Sequence, residues 1–310
     1  MDSELQMLSG LLACNKPMGV TSRDCVNVVV KLLRERYPKP ARLPKVGHAG
    51  TLDPRATGVL VMGVGAGVRL VPYIQQMSKQ YDATFRLGEW SESGDLEAEL
   101  HYEDSPIVPT LAELQAAAAQ LVGNITQTPP STSAIKVNGK KAYKYAHQGI
   151  AVVVPSRVVR VDSIAITRYE YPEIDASIRC GSGTYIRTLG MDLAAGCETR
   201  AVMSRLQRTQ IGAFDLSACR TMEELTSESL PGALLPLSLG VSNLPTLSLT
   251  DDQQDKVTQG LKIDVVDTVG AKLPEGSEAT VIDSNGNLRA IVRVFENRWC
   301  PYRVFHLTLG

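Results

Sequence analysis

Apolar and polar positions along this chain change period several times, and each change marks an element. Val26, Val29, Val30, Leu33 and Tyr37 follow one stripe of a 3.6-residue period, with Thr21 or Ser22 as cap and Pro38 as stop, which predicts a helix from about residue 22. The run VLVMGV at 59–64 is apolar throughout, as in a buried strand, and Leu70, Val71, Ile74 and Met77 line the helix after it. Tyr81, Ala83, Phe85 and Leu87 alternate with Asp82, Thr84 and Arg86, the period of a strand with one buried face. Thr110 and Glu113 form a capping box for a helix through Leu121 that stops at Gly123. Ile174, Ala176, Ile178 and Cys180 alternate again, and Gly181-Ser182-Gly183 turns that strand into a helix bearing Ile186, Leu189 and Leu193. After Pro245 the runs shorten: Ala279 to Ile282, a Ser284-Asn285-Gly286 turn, and Leu288 to Phe295. Strands with hairpin-like returns among helices predict an α+β fold, with a mixed, mainly antiparallel central sheet flanked by helices, rather than a doubly wound parallel sheet. The change of texture sets the expected domains at 1–245 and 246–310, the second a small β domain.

Composition narrows the class without naming a chemistry. With 310 residues, 44% apolar and 21% charged, the chain has ample material for a core. No stretch nears the ~20 apolar residues of a membrane span, and the leading MDSELQMLSG is acidic and polar, unlike a signal peptide, so a cytoplasmic protein is expected. The six cysteines include no C-x-x-C pair and the four histidines show no ligand spacing, which argues against a disulfide framework and a metal site. No self-association stripe stands out, so the default is a monomer.

Charge changes the picture more. Net charge is only −1, but no acid occurs from Leu114 to Val161, while Lys136, Lys140, Lys141, Lys144, Arg157 and Arg160 all lie in that run. A second basic run, Lys31, Arg34, Arg36, Lys39, Arg42 and Lys45 against only Glu35, leads toward Asp53. Surfaces this one-sided suit a phosphate backbone, although a solvated face is the commoner meaning of any single run. Acid is concentrated at 89–104 and again at 246–286.

The candidate chemistry sits at Gly47-His48-Ala49-Gly50-Thr51-Leu52-Asp53-Pro54. Glycines at 47, 50 and 58 permit backbone angles that a β-carbon forbids, and Pro54 keeps Asp53 out of helix, so one carboxylate is expected in a stiff loop. Asp before Pro is by itself ordinary loop punctuation. What changes its weight is the set of motifs around it. NKPMGVTS at 15–22, GHAGTLDPRATGVL at 47–60, SKQY at 78–81, QTPPS at 127–131 with SAIK at 133–136, and CGSGTYIR at 180–187 resemble, in order, the motifs of the TruB family of tRNA pseudouridine synthases. The likeness spans roughly residues 11 to 215, and the tail from about 246 resembles the small PUA-type domain that often follows.

The resemblance implies the pseudouridine synthase fold and isomerisation of a uridine to pseudouridine in the T loop of tRNA, normally position 55, without metal or organic cofactor; the T loop and T stem are the implied partner. It assigns Asp53 as the catalytic carboxylate, leaving open whether it attacks the sugar, attacks the base or acts as a base. Arg187 is implied as the cation that keeps Asp53 ionised. Tyr81 and Tyr185 are implied in the pocket of the flipped base, His48 in the remodelled RNA loop, and Leu206 as an apolar wall. Lys16, Lys136 and Arg208 are expected at phosphates. Two departures from the family pattern, GVGAGVRL at 63–70 and WSESGD at 90–95, do not include Asp53 itself, and Gln207 removes one of two arginines often paired there. A nucleotide loop at Gly63-Val64-Gly65-Ala66-Gly67 is disfavoured because no Walker lysine follows. Two other classes compete: a non-catalytic tRNA-binding or tRNA-folding module, and an aspartate-nucleophile hydrolase or glycosidase, for which no paired acid stands near Asp53 in sequence.

Overall fold

The structure, a computed structural model, describes residues 8–39, 42–130, 136–137, 140–141, 154–264 and 274–306. Contacts divide the chain into two compact units, one of residues 1–54, 59–75 and 212–310, the other of 55–58 and 76–211.

In the first unit, β1 (Gly10–Lys16), α1 (Ser22–Arg36), β2 (Val46–His48) and β3 (Thr57–Val64) build one core. Thr21 proves to be the cap: its hydroxyl accepts the Asp24 N–H while the Asp24 carboxylate accepts the Thr21 N–H at 2.9 Å. Val26, Val29, Leu33 and Tyr37 then pack on Leu12, Cys14, Leu60, Met62 and Val64. Each such Val or Leu contributes about 1.5–3 kcal/mol by leaving water. Val30 borders the stripe and stays 38% exposed. The chain leaves β3 through a 3-10 turn at Gly65–Leu70 into α2 (Val71–Gln76). A β-carbon at Gly63 would meet the Gly67 backbone at 2.4 Å, and one at Gly67 would meet the Gly10 carbonyl oxygen at 2.1 Å. The glycines of 63–67 therefore serve close backbone packing, which accounts for the run without any nucleotide.

The second unit holds the longer strands: β4 (Lys79–Leu87), β5 (Glu89–Trp90), β6 (His101–Tyr102), α3 (Leu111–Gln120), β7 (Gly123–Gln127), the two-residue strands β8 (Lys136–Val137) and β9 (Lys140–Lys141), β10 (Arg157–Glu170), β11 (Glu173–Cys180), α4 (Ile186–Ala195) and β12 (Ala201–Ile211). β12, β4, β11, β10 and β7 are antiparallel neighbours in that order, and Thr57 and Gly58 of β3 add a parallel pairing on Gln207 and Arg208. This is the mixed, mainly antiparallel sheet expected. Gly58 has φ +101° and a β-carbon there would lie 2.2 Å from the Arg208 carbonyl oxygen, so the GHAGTLDPRATG motif ends on a glycine that the sheet requires. α4 packs on β12 and β4, and α3 on β10. The Thr110–Glu113 capping box is present.

Beyond β13 (Phe214–Asp215), α5 (Asp251–Thr258) caps a second antiparallel sheet ordered β14 (Ile263–Asp264), β17 (Arg298–Val304), β16 (Leu288–Phe295), β15 (Glu278–Ile282), with its own core around Trp299. It belongs to the first unit. Arg69 donates to the Val304 carbonyl at 2.6 Å and stacks on Phe305, and the Tyr73 hydroxyl donates to Glu278, which also holds Arg293. Burial, with Glu278 beside it, pushes the Tyr73 phenol up to about 12. The later sheet is thus bonded back to the turn and helix at 65–76.

Candidate active site

Asp53 is half-buried, and its backbone neighbours are pinned on both sides by the segment NKPMGVTS. On one side, the Ser22 hydroxyl accepts the Leu52 N–H at 2.9 Å and donates to the Leu52 carbonyl at 3.2 Å. On the other, the Pro54 carbonyl accepts the Gly19 N–H at 2.9 Å and the Lys16 ammonium at 3.2 Å. Lys16 also donates to the carbonyls of Pro17 and Val20 at 2.9 and 2.7 Å. The stiffness expected of the Asp53 loop thus has a source, and two motifs far apart in sequence act as one device. His48, half-buried on β2, lies opposite Met62, and the next residue's N–H continues the pairing, Ala49 to Val61 at 2.8 Å.

Lys16 is fully buried, so a phosphate reaches its ammonium only by displacing backbone carbonyls. Through the carbonyls of Pro17, Val20 and Pro54 its charge braces the loop that carries Asp53. We expect Lys16→Met to lower stability by about 3 kcal/mol in urea denaturation, since the carbonyls of Pro17, Val20 and Pro54 lose a charged donor. Unchanged stability would mean that the loop holds without it.

In the second unit Tyr81, Leu206, Arg208, Tyr185 and Arg187 stand on three neighbouring elements. Tyr81 is buried in the middle of β4, with Ile178 across on β11 and Arg208 across on β12, and Leu206 lies opposite Ala83. Arg208 is 2% exposed. Its guanidinium and Lys79 are neighbouring buried cations. Desolvation first, then Arg208, brings the Lys79 ammonium down to about 8. With a folded pKa below the unfolded value of ~10.4, the unfolded chain binds the extra proton between about pH 8 and 10.5. Stability relative to Lys79→Met should therefore rise with pH across that window, measured as the urea midpoint of each protein; parallel midpoints would contradict the depressed ammonium. The side chain of Lys136 lies outside the described residues, as do Lys144 and residues 131–135.

Arg187, on the first turn of α4, is 5% exposed and held by an element that sequence reasoning did not connect to it. Its Nη1 donates to Asp95 Oδ2 at 2.9 Å and to the Ser93 carbonyl at 3.0 Å. The other Asp95 oxygen accepts the Ser93 hydroxyl at 2.5 Å and the Glu97 N–H at 2.9 Å, and the Ser91 hydroxyl donates to the Asp95 carbonyl at 2.6 Å. The segment WSESGD, which departs from the family pattern, is thus the cradle of a buried ion pair, both side chains about 6% exposed. A buried carboxylate is tolerated only when paired and hydrogen-bonded, and this one is both. The one signal in the sequence was an acid in a serine- and glycine-rich turn inside an acidic stretch, where a solvated face was the ordinary meaning.

Comparison with known proteins now has a geometry to meet. The family model described as TruB family pseudouridylate synthase, N-terminal domain, matches residues 38–186. A protein named tRNA pseudouridine synthase B from Rhodopirellula baltica is 38% identical over 96% of this chain and 95% of its own. The chain belongs to the TruB family of pseudouridine synthases. A second family member of the same name, from Gloeothece citriformis, is 37% identical over 94% of this chain and 92% of its own. Among solved structures, one titled as a Cbf5-Nop10-Gar1 complex superposes with TM-score 0.74 at 21% identity, covering 98% of this chain and 86% of that one, and shares the fold. No disulfide joins any of the six cysteines, and among the described residues no helix is long and apolar enough to cross a membrane.

Proposed function

We propose that this chain isomerises uridine 55 in the T loop of tRNA to pseudouridine, with Asp53 as the reacting carboxylate. The observation that carries the reading is the clamping of Leu52 and Pro54 by Ser22, Gly19 and Lys16, which presents a single aspartate on a backbone that cannot relax. The bond from the ribose C1′ to N1 breaks, the bond from C1′ to C5 forms, and the C5 proton is replaced by one on N1. Nothing is oxidised or reduced, so a carboxylate and a well-placed base suffice. Arg187, held by Asp95, is the cationic residue that the family resemblance assigns to the reaction, and an ionised carboxylate is the form that can react.

Reaching C1′ and C5 requires the uridine to leave its stack, at about a few kcal/mol, offset by packing in a pocket. Tyr81, Tyr185 and Leu206 supply its aromatic and apolar walls, and His48 stacks within the opened RNA loop. Lys136 and the other lysines of the acid-free run give the salt-sensitive grip on the T stem. The protein acts as a monomer in the cytoplasm, and residues 246–310 form a PUA-like domain. Incubating the protein with an unmodified tRNA transcript and mapping pseudouridine tests the reading. Formation at position 55 supports it; formation at another site would overturn the position, and none at all would overturn the activity.

A further inference from the structure

Tyr185 occupies the N-cap of α4 without offering a side-chain cap. Two residues from another part of the sheet hold it instead. The carboxamide of Gln127, a 1% exposed residue at the end of β7, accepts the Tyr185 N–H on Oε1 at 3.0 Å and donates from Nε2 to the Tyr185 carbonyl at 3.3 Å. Arg157, at the start of β10, places its guanidinium 5.1 Å from the centroid of the Tyr185 ring and donates from Nη2 to the Gly183 carbonyl. Gln127 and Arg157 are direct cross-strand partners, so the backbone and the ring of Tyr185 are gripped from a single rung of the sheet. The glycine at 183 fits this arrangement: φ is +84°, and a β-carbon there would lie 3.0 Å from Arg157 Nη2.

We propose that Gln127 and Arg157 are positioning residues of the pocket. Gln127 fixes where Tyr185 sits and, through it, where the first turn of α4 begins, two residues before Arg187. Arg157 covers one face of the Tyr185 ring with a planar cation, leaving the opposite face to the uracil, and a ring backed by a guanidinium keeps its orientation when the base arrives. A lysine cannot replace that cover, because an ammonium is a hydrated point charge rather than a stacking plane. This inference rests on Tyr185 packing against the flipped base. It gives the basic residue at 157 a task different from the phosphate contact that its place in the acid-free run suggests.

The test is single-turnover conversion of an unmodified tRNA transcript with enzyme in excess, alongside the tRNA Kd and the thermal midpoint of each protein. Gln127→Ala and Arg157→Lys should each slow conversion by about 10- to 100-fold, as small displacements of pocket groups do. Both should leave the tRNA Kd within about threefold, because lysine keeps a charge that could meet a phosphate. Should Gln127→Ala fail to fold, Gln127→Glu, which keeps the shape and the acceptor for the Tyr185 N–H, carries the test with the same slowing expected. Wild-type rates in these variants would overturn the proposal. So would an Arg157→Ala protein with weakened binding and a normal rate at saturation, paired with a wild-type Arg157→Lys protein, since that is the behaviour of a phosphate contact. An inactive wild type would instead overturn the proposed function, which keeps the two failures apart.

Discussion

Asp53→Asn should fold, bind tRNA within a few-fold of the wild type, and form pseudouridine at least about 10⁴-fold more slowly in single turnover. The separation of binding from chemistry follows from the structure of the loop. What pins it are the backbone groups of Leu52 and Pro54, bonded to Ser22, Gly19 and Lys16. Asparagine keeps the size of aspartate and removes only its charge, so the loop should stand and the reaction should stop. A variant with substantial activity would show that the carboxylate does not react. Loss of tRNA binding in parallel with activity would show that Asp53 serves RNA affinity, as in a non-catalytic tRNA-binding module.

Asp95→Asn should be the second large effect. Asp95→Asn takes away the buried carboxylate that Arg187 faces at 2.9 Å, and breaking a buried pair of this kind costs about 3–5 kcal/mol. Activity should fall by about 100-fold or more, because a guanidinium that has lost its orienting partner no longer points one way. The double variant Asp95→Leu with Arg187→Met separates the two effects. It removes both charges together, so much of the stability should return while activity stays low. Denaturant unfolding and the single-turnover rate, measured on the same preparations, check this. Recovery of activity with stability in the double variant would reduce the pair to a structural brace.

The legible parts of this protein are those in which cause and effect lie close together in the chain. The helix from Ser22 could be read because a cap and an apolar stripe follow each other directly in the chain, and the Tyr81 strand because alternation needs only neighbours. The Asp53 loop was visible through its glycines and proline. Its clamps were not, since the hydroxyl of Ser22 acts 30 residues away and the ammonium of Lys16 acts 38 residues away. A lysine in a polar motif looks like a surface cation, and only burial reveals that its partners are carbonyls. Asp95 was hidden by its company: Glu92, Glu97 and Glu99 around it make the stretch look solvated, whereas the turn at Ser93 points that one carboxylate inward to Arg187, 92 residues on.

By itself the amino-acid sequence determined the order of strands and helices, the α+β class, the family motifs and the candidate carboxylate, because periodicity, caps and turn residues act over a few positions and carry their meaning locally. Tertiary structure decided which charges are buried and what each of them faces. It turned Lys16 into the support of a loop, tied Arg187 to Asp95, set Gln127 and Arg157 on Tyr185, and bonded the final sheet to Arg69 and Tyr73. Those pairings depend on strand register and helix packing, which bring together residues that no local pattern relates, and the low dielectric of the interior then makes each of them count.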